Sequence, residues 1–207
     1  MTTLLLRDLI NWSPFRRCLL FIPLVCICFA LLPAPQAFGV SPKPDGGYPN
    51  QNTAEGDNAL FSLTTASGNT AIGHSALYSN IAGQNTATGA DALYSNTTGN
   101  SETATGFAAL FSNTVGLYNT AIGDTALYFN TSGNENTANG IAALVHNTTG
   151  SDNTANGGLA LVSNTTGNRN IALGQSAGSN LTTGSNNIHI GNEGVAGEAN
   201  TIRIGTV

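Results

Sequence analysis

The side chains that most often perform chemistry are few in this chain and are not grouped by spacing. The histidines are His74, His146 and His189. They lie at three different positions of the repeat described below, so no two would share a column, and we expect no metal site from them. Acidic residues also lie at variable repeat positions: Asp57, Asp91, Asp124 and Asp152. None belongs to the Gly-Gly-x-Gly-x-Asp pattern of calcium-binding β-rolls, and we interpret them as solvated surface charges.

Composition also argues against catalysis. Charged residues are only 8% of the 207 residues, the net charge is −5, and Lys and Arg together number 6, which excludes a basic nucleic-acid-binding surface. The cysteines are confined to the N-terminal segment: Cys18, Cys26 and Cys28. No histidine–aspartate pair recurs beside the serines. We expect a protein without enzymatic activity, with no catalytic residue, metal or cofactor.

Residues 1–39 are predicted to be an export signal. Arg7, Arg16 and Arg17 precede an uncharged apolar run over 18–32, which is shorter than the roughly 20 residues needed to span a bilayer. Small residues before position 40 predict cleavage after Gly39 or, alternatively, after Ala37; an uncleaved signal anchor is the competing interpretation. Residues 40–51 are rich in Pro and Gly and predict a linker. We therefore expect a secreted protein or one on the outer surface of a bacterial cell.

Residues 52–207 are one repeat, which must supply the framework for any site. Its consensus is Asn-Thr-Ala-x-Gly-x-x-Ala-Leu-aromatic-Ser-Asn-Thr-Thr-Gly, and the interval from one unit to the next is constant except between Gly73 and Gly89, where it is one position shorter. The register is marked by a glycine column: Gly56, Gly73, Gly89, Gly106, Gly123, Gly140, Gly157, Gly174 and Gly191. A fixed period of roughly 20 residues predicts a solenoid, because one unit cannot bury its apolar face alone.

The residue two positions before each glycine is nearly always alanine. This column is Ala54, Ala71, Ala87, Ala104, Ala121, Ala138, Ala155 and Ala172. A position that accepts only a methyl group predicts a tight interior, whereas the next position accepts Glu55, Ile72 and Asn139 and must face outward. This alternation predicts a short strand in each unit.

Three other features of the unit have structural interpretations. The Ala-Leu-aromatic segment fits either a second strand or one turn of helix ended by asparagine. An asparagine column is predicted to form hydrogen-bonded amide stacks along the axis, with Glu102 as the one substitute. Glycosylation sequons begin at Asn96, Asn130, Asn147 and Asn164, and we interpret them as turn residues. The predicted fold is mainly β, a single-stack parallel β-solenoid or β-roll of about eight to nine coils of 16–17 residues, with a possible short helical turn in each.

The repeat resembles the head repeats of trimeric autotransporter adhesins of the YadA type. The resemblance is carried by the Asn-Thr-Ala-Ile-Gly units ending at Gly73 and Gly123, by Ile171-Ala172-Leu173-Gly174 and by Ile188-His189-Ile190-Gly191. It implies a left-handed parallel β-roll, a homotrimer and binding to host matrix or other surfaces. The unit is about 17 residues long here against about 14 in the family. No stalk or barrel anchor follows, so we expect either a fragment or an unanchored relative.

The sequence therefore predicts a non-enzymatic adhesin-like or surface-fibre protein, with its matrix, glycan or cell-surface ligand unknown and no nucleic-acid partner. Contact with a membrane is expected only through an uncleaved signal segment. The alternative is an ice-binding or crystal-surface-binding solenoid, because stacked Thr and Asn on a flat face can order water. A β-helix hydrolase is a weaker third interpretation, since it would need acids clustered in one groove.

Overall fold

The computed structural model describes residues 49–205. The predicted signal segment and residues 40–48 of the predicted linker lie outside the described residues, as do residues 206–207. The described part begins with a 3-10 turn, η1 (Pro49–Gln51). Short strands follow: β1 (Thr53–Glu55), β2 (Thr70–Ile72), β3 (Thr86–Thr88), β4 (Thr103–Thr105), β5 (Thr120–Ile122), β6 (Thr137–Asn139), β7 (Thr154–Asn156), β8 (Ile171–Leu173), β9 (Ile188–Ile190) and β10 (Ile202–Ile204). Within these residues no helix is long and apolar enough to cross a membrane.

The strands form a single parallel sheet of 10 strands in sequence order. Each strand pairs with its equivalent one coil later, as Ala104 pairs with Ala121. The one shortened interval keeps this register, with Ala71 opposite Ala87, because the missing residue falls in the turn. The predicted fold class, a mainly β single-stack parallel solenoid, is confirmed. At about 4.8 Å per strand the stack is roughly 40 Å long.

Each strand points its middle residue into the coil and its flanking residues outward. The middle residues from Ala71 to Ala172 are fully buried, and Ala54 in the first coil is 4% exposed. The outward residues Ile72 and Ile122 are 42% and 43% exposed. The alanines thus form one inner column. A leucine column lies with them in the same hydrophobic core: Leu60, Leu77, Leu93, Leu110, Leu127, Leu144 and Leu161.

The glycine column lets adjacent coils approach closely. Gly73 has φ +132°, and a Cβ at this position would lie 2.5 Å from the carbonyl oxygen of Gly89. Gly123 has φ +134° and the same relation to Gly140. Both conditions require glycine, because side chains disfavour this φ and the space is occupied by backbone. At Gly191 only the steric constraint is absent: a Cβ there would meet nothing within 4 Å, although φ is still positive at +56°.

The Ala-Leu-aromatic segment is neither the predicted strand nor the predicted helical turn. It is a run of turns in which Ser75 and Leu77 both have φ +53°. The Leu77 N–H donates to the Ala92 carbonyl of the next coil at 3.0 Å. Within the same coil, the Asn80 N–H donates to the Leu77 carbonyl at 3.2 Å. Left-handed residues at alternate positions interrupt both a strand and a helix. Bonding between coils compensates for this backbone conformation.

Candidate functional site

The interior beside the sheet is filled by a hydrogen-bonded asparagine ladder. In a typical step, Asn136 donates from its backbone N–H and from Nδ2 to Asn119 Oδ1, both at 3.0 Å. The same Nδ2 donates to the Gly150 carbonyl at 2.8 Å. The members are fully or almost fully buried: Asn52, Asn69, Asn85, Asn119, Asn136, Asn153, Asn170 and Asn187. Each side-chain amide hydrogen-bonds to groups of the adjacent coil. The asparagine column is therefore structural, and its N–H donors are not available to a ligand.

A second buried ladder occupies the asparagines that begin the predicted sequons. Asn147 Nδ2 donates to Asn130 Oδ1 and to the Gly150 carbonyl, each at 2.9 Å. The column ends at Asn164, whose Oδ1 has no hydrogen-bond partner because the next residue in the column is Leu181. These amides, including Asn96, are fully buried, so the folded coil does not offer them to a glycosylating enzyme.

Glu102 is the one carboxyl in the first ladder and is only 1% exposed. Its Oε2 accepts the Asn119 backbone N–H and its Oε1 accepts Asn119 Nδ2, both at 3.2 Å. Burial raises the pKa of Glu102 from 4.5 to about 8, and the two bonds from Asn119 only partly oppose that rise. The carboxyl is therefore protonated at neutral pH.

The remaining histidines and acids that could have formed a site lie apart. His74 Nδ1 is 3.6 Å from Asp91 Oδ1 on the surface. Asp57 and Asp124 are exposed, and Asp152 lies 3.9 Å from Arg169 Nε. Among residues 49–205 no three histidine, cysteine or acidic side chains group as metal ligands would.

Ser176 stands in a Gly-x-Ser-x-Gly sequence, Gly174 to Gly178, which is the spacing of a hydrolase nucleophile. That nucleophile needs a strand before it and a helix after it. Here the serine lies within the run of turns, with φ +55°, and further turns follow it. The equivalent residues of other coils are Ala108 and Ala142, so the serine occupies an ordinary repeat position.

In the last two strands, His189 and Arg203 replace the alanine column, and both contact the carboxylate of Glu198. His189 pairs in register with Ala172 on one side and Arg203 on the other. His189 is fully buried, and its Nε2 lies 2.8 Å from Glu198 Oε1. Arg203 Nε donates to both carboxylate oxygens of Glu198, at 3.1 Å and 2.8 Å. Burial alone would raise the pKa of Glu198, but these partners and the Val195 N–H together hold that pKa below 4.5.

The imidazole of His189 takes the place of a missing leucine. The leucine column ends at Leu161, and its next position is Gly178. A Cβ on Gly178 would lie 2.8 Å from Leu161 Cδ2 and 3.1 Å from His189 Nδ1. A larger residue in the alanine column is therefore matched by a smaller one in the leucine column, which preserves the packed volume.

The outer sheet face is polar along most of the rod and apolar at one end. One outward column carries Thr53, Thr70, Thr86, Thr103, Thr120, Thr137 and Thr154. From β8 to β10 this column becomes isoleucine, and the second outward column becomes leucine or isoleucine. The exposed apolar side chains at this end are Ile171, Leu173, Ile190, Ile202 and Ile204. Ile202 and Ile204 are 68% and 73% exposed, so this face is well suited to pack against another surface.

An aromatic column runs along the turn side of the rod. Its members are Phe61, Tyr78, Tyr94, Phe111 and Tyr128. Successive ring centroids are 4.9 to 5.1 Å apart, and the rings are within 2° to 8° of parallel. Since both faces of Tyr78, Tyr94 and Phe111 are covered by neighbouring rings, these inner rings present their edges to solvent. The recurrence of Phe or Tyr once in each of these units is the sequence signal that could have predicted the stack.

Two further aromatic rings interrupt the serine column next to it. Phe129 and His146 stack with centroids 5.8 Å apart and an interplanar angle of 12°. They line a surface groove of about 580 Å³ together with serines and threonines of the adjacent coils. The groove thus lies where the serine column departs from its own consensus.

Comparison with protein-family models, with curated proteins and with solved structures gave no match to this chain.

Proposed function

We propose that this chain is an exported, non-enzymatic adhesin-like or surface-fibre protein, whose β-solenoid rod binds a host, matrix or cell surface. The observation that carries the proposal is the division between inner and outer columns. The inner columns are almost uniform Ala, Leu and Asn, while the outer columns vary in polarity and shape along the axis. A rod with a constant core and a varied surface is suited to display side chains at fixed spacing. Residues 1–39, with the features of an export signal, support a location outside the cytoplasm.

The proposal includes a homotrimer of left-handed β-rolls, as the resemblance to the YadA-type heads implies. It is supported by the apolar end of the outer sheet face. Five neighbouring Ile and Leu side chains there are at least 36% exposed, and side-by-side packing of chains would remove them from water. Sedimentation equilibrium should give three times the mass of one chain. The double variant Ile171→Thr, Leu173→Thr, which copies Thr103 and Thr105, should weaken the assembly; a wild-type monomer at micromolar concentration would refute it.

Adhesion is tested with the full chain immobilised on beads. We expect flow-resistant retention on at least one of collagen, fibronectin or cultured epithelial cells. The matched variant is Tyr78→Val, Tyr94→Val, Phe111→Val, because Val145 and Val162 hold the same column natively. Loss of retention in this variant would locate adhesion at the aromatic column, while retention on none of the three surfaces by the wild type would contradict the proposed function.

A second candidate, ice or crystal-surface binding, is favoured by the threonine column on the flat parallel sheet. Thr86 and Thr88 on β3, and Thr103 and Thr105 on β4, form a rectangular array of hydroxyl-bearing side chains, about 4.8 Å apart between strands and about 6.6 Å apart along each strand. Thermal hysteresis of the purified chain tests this candidate. Replacing Thr103 and Thr105 with valine should abolish hysteresis if this face orders water, and a wild-type solution without hysteresis would reject the candidate.

A further inference from the structure

The serine column beside the aromatic column is broken at two successive coils. Its usual occupants are Ser62, Ser79, Ser95, Ser112 and Ser163. In the coils between the last two, the column carries Phe129 and His146, both of them exposed, with Phe129 at 45%. The backbone repeat needs neither ring, because serine fills this position in most coils. The two rings therefore have no structural role that the repeat itself explains.

Both rings are held in fixed orientations. The ring of Tyr128 lies against Phe129 in an edge-to-face arrangement, with centroids 4.6 Å apart and an interplanar angle of 75°. His146 Nδ1 lies 2.9 Å from the Val162 carbonyl, to which the imidazole N–H donates. The rings stack on each other at 12°, so the two-ring platform is already formed without a ligand.

On both sides of the platform, the same column position carries a serine. Ser112 lies one coil before Phe129, and Ser163 lies one coil after His146. A serine side chain is too small to cover an aromatic face. Rings in the neighbouring column stack at about one coil spacing, 4.9 to 5.1 Å, so each serine leaves a recess about one ring thick. The shallow groove, of about 580 Å³, is lined by both serines and so includes both recesses.

The rest of the groove is a row of threonines: Thr131, Thr148 and Thr165. Thr131 Oγ1 donates to the Thr148 carbonyl at 3.1 Å, and Thr148 Oγ1 donates to the Thr165 carbonyl at 3.0 Å. Their hydroxyl oxygens therefore keep lone pairs that can accept hydrogen bonds. The lining holds no carboxylate, lysine or arginine, so it offers aromatic faces and hydroxyl acceptors but no fixed charge.

We propose that Phe129 and His146 form a binding site for a neutral pyranose ring, such as the terminal sugar of a surface glycan. The C–H face of a pyranose stacks on an aromatic ring, and its hydroxyls can donate to the threonine oxygens. The inner rings of the stacked aromatic column are unsuitable for this purpose because both of their faces are already covered. The inference rests on the proposed function, since it names a ligand class for the displayed surface.

The experiment uses purified full chain and two probes, methyl β-D-galactopyranoside and methyl β-D-glucopyranoside, followed by saturation-transfer NMR. For ligands of this size in a shallow groove we expect a Kd of about 1 to 10 mM for at least one probe. Phe129→Ser and His146→Ser should each weaken that binding about tenfold, because each removes a stacking face. Both variants copy a residue that other coils carry, so the fold should persist, as amide NMR spectra would verify.

Phe107→Ser is the matched control, because Phe107 is 55% exposed and lies outside the groove. It should leave binding unchanged. Absence of transfer to both probes, or equal binding by wild type and both groove variants, would overturn the site. If Phe129→Ser or His146→Ser changed the sedimentation of the chain without changing glycoside binding, the proposed sugar site would also be overturned. The platform would then be a contact between copies of the chain. Bead retention distinguishes the two proposals, since Phe129→Ser beads that still adhere would leave the adhesin proposal standing.

Discussion

Replacing Glu102 with asparagine should stabilise the protein and remove a specific dependence of stability on pH. The ladder position is asparagine in the other coils, as at Asn85 and Asn119, and Glu102 is only 1% exposed. Its folded-state pKa is about 8 against an ordinary value of 4.5. Between pH 4.5 and pH 8, Glu102 is ionised in the unfolded chain but protonated in the folded chain. The contribution of Glu102 to stability is therefore fully present below pH 4.5 and is lost as pH rises toward 8.

The size of the stability loss follows from the shift in the pKa of Glu102. One pKa unit corresponds to about 1.4 kcal/mol, so the interval between pH 4.5 and pH 7 corresponds to about 3 kcal/mol of lost stability. Glu102→Asn removes this loss. By analogy with Asn119, which donates to the Gly133 carbonyl at 2.8 Å, the new amide should also bond the Gly116 carbonyl. That bond adds about 1 kcal/mol, for a total of about 4 kcal/mol at pH 7.

Urea unfolding followed by circular dichroism at pH 5, 6, 7 and 8 measures this difference. We expect the stability gap between Glu102→Asn and wild type to widen by about 1.4 kcal/mol per pH unit between pH 6 and pH 7 and to level off near pH 8, where the folded carboxyl also ionises. Glu102→Gln should show the same widening because it cannot ionise, which separates loss of the charge from repair of the ladder. Contributions from ionisable groups that the two proteins share cancel in the comparison. A gap that stays constant from pH 5 to pH 8 would refute the reasoning.

The remaining predictions concern the inner columns and the last coil. Ala121→Leu overpacks a fully buried column and should destabilise the rod by about 1 to 3 kcal/mol in urea unfolding, with Ala121→Gly as a control for side-chain volume. Asn136→Ala breaks one ladder step and leaves buried groups unsatisfied, which should lower stability by about 1 to 3 kcal/mol and speed amide exchange in adjacent coils. His189→Ala removes the ring that fills the space beside Gly178, and its unfolding midpoint should fall well below that of wild type. Because the folded pKa of Glu198 lies below 4.5, its stabilising contribution is present above that pH and is lost in more acid solution; Glu198→Gln should lack that acid-sensitive part of a melting curve between pH 2 and 5.

The sheet could be predicted from the sequence because its constraint repeats at every coil. A column restricted to alanine, next to one that accepts Glu55, Ile72 and Asn139, needs a short strand with alternating faces. The Ala-Leu-aromatic turns could not be predicted in this way. Leu77 has φ +53°, which leucine adopts rarely in isolation, and it is compensated by bonding to the next coil. The conformational propensity of a residue does not reflect hydrogen bonds to residues one full coil away in the chain.

The features of the surface depend on exceptions to the repeat. Phe129 and His146 are unremarkable in the linear sequence, and their meaning appears only when coils are laid over one another and both replace serine. The shortened last coil had a sequence signal, since Ile202 follows Ile188 at a shorter interval than separates any other pair of neighbouring strands in the described sheet. No sequence signal predicted that the larger His189 would be matched by the smaller Gly178, because the two positions belong to different columns.

The stacking of like residues sets where this protein can change without unfolding. A change in an inner column alters contacts with the coils on both sides, so Ala, Leu and Asn recur there and Glu102 carries a penalty. A change in an outer column alters only a surface stripe, which is why Thr, Asn, Ile, Phe and His all occur outside the same core. Specific binding in such a rod should therefore reside where an outer column departs from its own consensus. In the described coils the platform of Phe129 and His146 is the clearest departure on the turn side, and the isoleucines of β8 to β10 are the clearest on the sheet face.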